Sequence, residues 1–269
     1  MDVDSGGVNI HVEVTGEGRP VVLLHGFPDS GALWRHQVPA LVDAGFSCIV
    51  PDLRGFGASD APAEVDAYSL LSSAGDVIAV LDHLGVDRTH VVGHDWGAAL
   101  SWILASFLPD RVDHLAALSV GHPSGFGSAG VEQLQKSWYM FFFQLEGAAE
   151  RWLSADDWAN FRTWFGHPDA DDVVARWEAT GTLTAALNWY RANVPQAWAE
   201  PPLVAPPVAA PTLGVWSTGD AFLGEAQVAG SDRFVSGPWR YERVEGVGHH
   251  IPLEAPDVVN RLLVDFLPG

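Results

Sequence analysis

The chain has 269 residues, 48% of them apolar, with 34 acidic against 14 basic side chains and a formal charge of −20. That is enough apolar material to bury a large core as one domain, or as one domain with an insertion, and it excludes a disordered chain. The acidic excess argues against DNA, RNA and anionic membrane surfaces as partners and says nothing about a reaction.

The single cysteine, Cys48, lies in the apolar run FSCIVPDL, which rules out a disulfide framework and predicts a buried, inert thiol in a reducing cytoplasm. The N-terminal MDVDSGGVNIHVEV has no basic stretch ahead of an apolar one, so no secretory signal is expected. The longest apolar run, Ala98 to Leu108, falls short of the roughly 20 residues that a bilayer requires.

In chain order, VNIHVEV alternates apolar and polar residues as a half-exposed strand does. After the turn TGEGRP, VVLLHG reads as a fully buried strand. GALWRHQVPALVDAG has helical spacing, FSCIVPDL is another buried strand, and LLSSAGDVIAVLDHLG is a helix closed by Gly85. The strand THVVGH, the buried helix GAALSWILASFLPDRV and the strand HLAALSV follow. This alternation predicts an α/β fold, a mostly parallel sheet covered by helices on both faces.

From about Gln133 to Glu200 the pattern turns helical and aromatic, with Trp138, Trp152, Trp158, Trp164, Trp177, Trp189 and Trp198 all in this stretch. The proline-rich EPPLVAPPVAAP then leads into the strand TLGVWSTGD, the segment WRYERVEGVGHH and a final helix PDVVNRLLVDFL. The expected division is a core over residues 1–132, a helical cap over 133–205 and a returning core over 206–269. No internal repeat is visible.

Open parallel sheets bind ligands at the carboxyl ends of their strands, so polar residues just after each strand are the first candidates. Asp95 follows THVVGH, Asp220 follows TLGVWSTG and His249 follows YERVEGVG. The order nucleophile, acid, histidine is that of the α/β-hydrolase triad, and the chain resembles that family over nearly its whole length. In VVGHDWGAAL, Asp95 stands where such a turn usually carries Ser or Cys. The resemblance implies an oxyanion hole from the backbone N–H groups of Phe27, in HGFPD, and of Trp96, at the start of a helix. Asp52 and Arg54, in DLRGFGASD, read as loop anchors, and His25 and His94 as groups that hold loops around the turn.

A carboxylate needs no base to become a nucleophile, but attack on an amide or ordinary ester would give a high-energy anhydride. Attack on a saturated carbon of an epoxide or alkyl halide gives an alkyl ester instead, which His249, oriented by Asp220, can hydrolyse by activating water. A halide leaves unaided, whereas an epoxide leaves as an alkoxide, and a general acid then contributes roughly 10²- to 10⁴-fold.

The insertion offers such acids. SWYMFFFQLEGAAE is similar to the cap segment of soluble epoxide hydrolases that carries a Tyr five residues before a Gln, here Tyr139 and Gln144, and LNWYRAN is similar to the second cap motif, whose Tyr is Tyr190. Haloalkane dehalogenases share the HDW pattern but typically place Asn or Gln at the position of Phe27, while fluoroacetate dehalogenases place Arg at that of Trp96. The resemblance therefore implies an epoxide hydrolase that forms a vicinal diol through an ester on Asp95, with a haloalkane dehalogenase as the alternative and a non-catalytic binding module as a third reading.

His249 aligns better than His250 with the expected position directly after Gly248, and His250 is expected to line the site or pack. An aromatic lining from Phe27, Trp96, Trp138, Phe141 and Trp189, with Gln144 and His122 beside it, suggests a small apolar epoxide as the substrate, with water. No histidine pair has zinc spacing, and no phosphate loop or dinucleotide fingerprint appears, so no metal or other cofactor is expected. A monomer or a homodimer is compatible with the chain.

Overall fold

The computed structural model describes residues 1–126, 129–199 and 205–269. Among them, eight strands form one sheet in the order β1-β2-β4-β3-β5-β6-β7-β8. These are β1 (Asp2–Ser5), β2 (Val8–Thr15), β3 (Arg19–Leu24), β4 (Phe46–Pro51), β5 (Thr89–His94), β6 (Val112–Leu118), β7 (Thr212–Ser217) and β8 (Trp239–Val244). The pairs β1–β2 and β2–β4 are antiparallel, and every other neighbouring pair is parallel.

Side-chain alternation divides the core between the two faces of the sheet. On β3, Val22 and Leu24 join one cluster, with Val77 and Val80 of α2 (Leu70–His83 follows α1, Gln37–Asp43) and Leu100 and Trp102 of α3 (Trp96–Phe107). Val21 and Leu23 point the other way and pack with Leu41 of α1 and the apolar side of the C-terminal helix. Cys48 belongs to this second cluster, and burial raises its thiol to about 12, which keeps it inert.

Two local features differ from the sequence reading. β1 was not expected, because DVDS is short and half acidic; it pairs in register with β2, Val3 opposite Ile10, across a turn at Gly6 and Gly7 with φ of 63° and 94°. The expected helix over GALWRHQVPALVDAG divides into a 3₁₀ turn, Gly31–His36, and α1. Pro39 has no N–H to donate to the preceding turn, so the helix restarts there.

Between β6 and β7 the described residues hold six helices and no strand: α4 (Pro123–Phe126), α5 (Gly130–Lys136), α6 (Trp138–Phe142), α7 (Ala148–Phe165), α8 (Ala170–Thr180) and α9 (Leu183–Ala199). The expected cap end at 205 adjoins residues 200–204, which lie outside the described residues, as does the start of EPPLVAPPVAAP. After β7 come α10 (Glu225–Ala229), α11 (Ile251–Glu254) and α12 (Pro256–Phe266). Among the described residues, no helix is long and apolar enough to cross a membrane.

The helical segment is fastened to the sheet by directional contacts. The Trp189 indole donates to the Arg54 carbonyl at 3.0 Å, and the Asn193 amide donates to Tyr68 O and accepts from Leu70 N, each at 3.0 Å. Arg54 is itself fixed by a buried two-point ion pair with Asp76 at 2.5 and 2.6 Å. Asp52 accepts from the amides of Gly31 and Ala58, so both residues act as loop anchors.

Candidate active site

Asp95 stands at a sharp strand-to-helix turn, with φ 53° and ψ −122°, a strained conformation for a residue with a Cβ. The turn closes because its flanking glycines leave room: a Cβ on Gly93 would sit 2.3 Å from Gly97 O, and one on Gly97 would sit 2.0 Å from Leu24 O. The Asp95 side chain remains 12% exposed at the N-terminus of α3. Its Oδ1 accepts from Phe27 N at 2.8 Å. Burial opposes its ionisation, but the hydrogen bond and charge of His249, together with the Trp96 amide, hold its pKa below the ordinary carboxylate value.

His249 donates from Nδ1 to Asp220 Oδ2 at 2.8 Å, and its Nε2 lies 3.6 Å from Asp95 Oδ2. The second oxygen of Asp220 accepts from Phe222 N at 2.8 Å and Leu223 N at 2.9 Å, which fixes that carboxylate. Burial disfavours a charged His249, yet Asp220, and then Asp95, outweigh it and raise its pKa to about 10. Esterification of Asp95 would remove one of these two negative charges, so His249 becomes more able to serve as a base at that stage.

Several residues that the sequence reading missed hold this loop. The His249 carbonyl accepts from His94 Nε2 at 2.9 Å and from the Ser119 hydroxyl at 3.1 Å, while Ser217 donates to Gly248 O at 2.6 Å. Glu254 accepts from the amides of Gly248 and His250. Only His94 was anticipated as a brace; Ser and Glu are too common after strands to stand out in a sequence. Burial lowers the pKa of His94 to about 4, so it is a neutral donor. His25 braces the neighbouring loop by accepting from Leu53 N at 2.9 Å.

Tyr139 and Tyr190 come from α6 and α9, and their rings lie 5.8 Å apart. Burial raises both hydroxyl pKa values well above 10, and the Asp95 charge raises both further, so both stay protonated close to that carboxylate. Tyr190 lines the same cavity of about 110 Å³ as Asp95 and Trp96. Gln144 donates to Met140 O at 2.9 Å and to Tyr190 O at 3.2 Å, so it ties the two tyrosine-bearing helices together rather than facing the cavity.

Other expected lining residues stand elsewhere. Trp138 is 45% and Phe141 43% exposed, because the short α6 turns Tyr139 and Met140 inward and leaves its other face outside. Trp189 is fully buried behind Trp96, at 5.8 Å between rings, and serves as the cap-to-core link already described. His122 faces away from the cavity, stacked 4.4 Å from Phe234 with Nδ1 accepting from Ser124 N. His250 is buried against Phe165 and His167. The cavity wall is instead mainly aliphatic, and isolated Leu, Val and Ala residues carry no sequence signal for such a role.

Among the described residues, Asp29, His167 and His250 are near enough to hold a metal ion, with candidate ligand atoms within 4.8 Å of one another. His167 Nδ1 accepts from Asp169 N at 2.9 Å, which puts the proton on Nε2, 3.1 Å from Asp29 Oδ1. That proton assignment describes a hydrogen bond between cap and core better than a metal ligand.

A family model described as the α/β hydrolase fold matches residues 19–256. Epoxide hydrolase A of Mycobacterium tuberculosis is 31% identical over an alignment 319 positions long, gaps included, covering 99% of this chain and 96% of that one. The crystal structure of epoxide hydrolase A from Mycobacterium thermoresistibile is similar with a TM-score of 0.83 at 30% identity, over 100% of this chain and 98% of that one. The Bacillus megaterium epoxide hydrolase, solved in complex with an inhibitor, has a TM-score of 0.90 at 25% identity, with 99% of each chain covered. From its sheet order, its Asp95 turn and these relatives together, the chain belongs to the α/β-hydrolase family, among its epoxide hydrolase-like members.

Proposed function

We propose that this protein opens an epoxide with water to give a vicinal diol, through a covalent ester on Asp95. The observation that carries the reading is the meeting of two protonated cap tyrosines, Tyr139 and Tyr190, with an ionised Asp95 that a histidine–aspartate pair backs. In this account the core runs over residues 1–132 and 206–269, and the cap over 133–205.

Asp95 Oδ1 is held by the Phe27 amide, so Oδ2 is the attacking oxygen. It bonds to an epoxide carbon as that carbon's bond to the ring oxygen breaks, and the oxygen takes a proton from a cap tyrosine. A general acid at this step contributes roughly 10²- to 10⁴-fold, or about 3 to 5 kcal/mol.

Oδ1 is then the ester carbonyl oxygen, already lodged against the N–H of Phe27. His249 takes a proton from water, and the hydroxide adds to the ester carbon of Asp95. The Phe27 and Trp96 amides stabilise the resulting oxyanion. Collapse expels the ester oxygen, which takes the proton of the hydroxyl added to Asp95, so the diol leaves and the carboxylate returns, and the proton on His249 restores the tyrosine. No step needs a cofactor.

The alternative, displacement of halide, has one feature in its favour: the buried Trp96 indole N–H, which meets the Tyr190 side chain, could hold a halide instead. The nearby Asn193 amide cannot be the second donor, because it is occupied by the carbonyls of Tyr68 and Trp189. Halide loss also gives the tyrosine acids no task. A panel of styrene oxide, an aliphatic epoxide, a 1-haloalkane and a p-nitrophenyl ester separates the readings: diol from the epoxides is expected, and halide release without diol would favour the alternative. The buried Cys48 and the acidic surface fit a cytoplasmic setting, and a monomer or homodimer suits the site, which one chain completes.

A further inference from the structure

We propose that the site has a single arm, and that it therefore selects terminal epoxides bearing one hydrocarbon chain over epoxides substituted on both carbons. The inference rests on the epoxide hydrolase reading above. On one side of Asp95, the cavity runs between α3, the end of β6 and α9, walled by Leu70, Ala99, Val120, Met140, Val194 and Leu223. Among the described residues its polar side chains are Asp95, Trp96, Tyr190 and Asn193; the Trp96 indole meets the Tyr190 side chain, and the Asn193 amide is already committed to Tyr68, Trp189 and Leu70. A substituent lying there meets hydrocarbon and, among the described residues, no free hydrogen-bonding group beyond the reacting centre, so an alkyl or aryl chain suits it and a polar chain does not.

The other side of Asp95 is filled. Phe27 packs against Phe165 at 5.4 Å, Trp177 at 5.7 Å and Phe143 at 6.0 Å between ring centres. Phe165 stacks on Phe222 at 4.9 Å, and Phe222 abuts the His249 ring at 5.4 Å. All of these rings are buried, and neither Phe27, Phe165 nor Phe222 lines the cavity. The cap thus closes the site at Phe143, Phe165 and Trp177 with a packed aromatic wall, while Met140 of α6 and Tyr190, Asn193 and Val194 of α9 border the opening.

The two carbons of an epoxide ring carry their substituents apart along the C–C bond. With the ring oxygen at the tyrosines and one carbon in line with Asp95 Oδ2, a chain on one carbon enters the arm. A second chain, on the other carbon, runs into the wall, where insertion means displacing close-packed rings.

The test uses three isomers of one formula, 1,2-epoxyhexane, cis-2,3-epoxyhexane and trans-2,3-epoxyhexane, with kcat/KM for diol formation as the readout. The terminal isomer should exceed either internal isomer by about 100-fold. Phe165→Ala should raise the trans-to-terminal ratio by at least about 10-fold, by hollowing the wall. Ala99→Leu, which fills the arm, should lower turnover of the terminal isomer by about 10-fold or more and serves if the wall variant does not fold.

A wild-type preference below about 10-fold overturns the single arm, as does a folded Phe165→Ala protein with an unaltered ratio. No diol from any isomer, together with no ester adduct on Asp95, would overturn the epoxide hydrolase reading itself and the inference with it.

Discussion

Replacing both cap tyrosines with phenylalanine removes two hydroxyls and leaves their rings in place. The Tyr190 ring packs at 5.0 Å from Phe143, 5.1 Å from Trp96 and 5.5 Å from Phe27, contacts that phenylalanine retains. Stability should therefore change by less than about 1 kcal/mol. Tyr190 lines the cavity and Tyr139 stands beside it, so Tyr190→Phe alone should reduce kcat/KM for an epoxide by about 100-fold, with Tyr139 as the remaining donor. The double variant should lose about 10⁴-fold, equivalent to about 5.4 kcal/mol of transition-state stabilisation. Diol formation by chromatography gives the rate, and thermal melting checks the fold. A folded double variant that keeps more than about a tenth of wild-type kcat/KM would refute the assignment of the tyrosines as acids.

The other predictions concern the turn, the buried ion pair and the histidine. A Cβ on Gly26 would lie 2.4 Å from Asp95 Oδ1, so Gly26→Ala should lower kcat by about 10²-fold or more by spoiling the oxyanion contacts; a wild-type rate would contradict that geometry. Asp76→Ala strands the buried Arg54 charge and should destabilise the fold by about 3 to 5 kcal/mol in denaturant titration, and a loss under about 1 kcal/mol would count against the pair. His249 has its pKa raised from 6.5 to about 10, so its stabilising contribution is complete below about pH 6.5 and is lost as pH rises through about 10. Asp95→Asn removes one of the charges responsible, and NMR titration should find His249 deprotonating at lower pH than in the wild type; an unmoved midpoint would deny the Asp95–His249 coupling.

What could be read from the sequence was chemistry tied to strand ends. Asp95, Asp220 and His249 are polar residues at fixed places after buried strands, and the sheet brings them together with Nδ1 of His249 2.8 Å from Asp220. Tyr139 and Tyr190 were found by resemblance of the two cap segments, and their helices do converge on Asp95. The wall of the cavity could not be read. Leu70, Val120 and Leu223 are ordinary apolar residues whose role depends on how distant segments meet.

For the same reason the aromatic cap was misread in part. Aromatic content suggests a lining, but only the orientation of α6 decides that Tyr139 points in while Trp138 and Phe141 point out. The aromatic residues that pack against Phe27 and His249, Phe165 and Phe222, carry no signal in the sequence that sets them apart from core residues. β1 escaped notice because a four-residue acidic strand owes its existence to its partner in β2.

The central claim is that Asp95 itself becomes covalently bonded to substrate carbon. His249→Gln keeps a polar group of related size but removes the base for the second step, so the ester should accumulate. Intact-protein and peptide mass spectrometry after a single turnover with styrene oxide should find the protein heavier by the whole epoxide, with the added mass on Asp95. An unmodified His249→Gln protein that still forms diol, or an adduct on any other residue, would contradict the account.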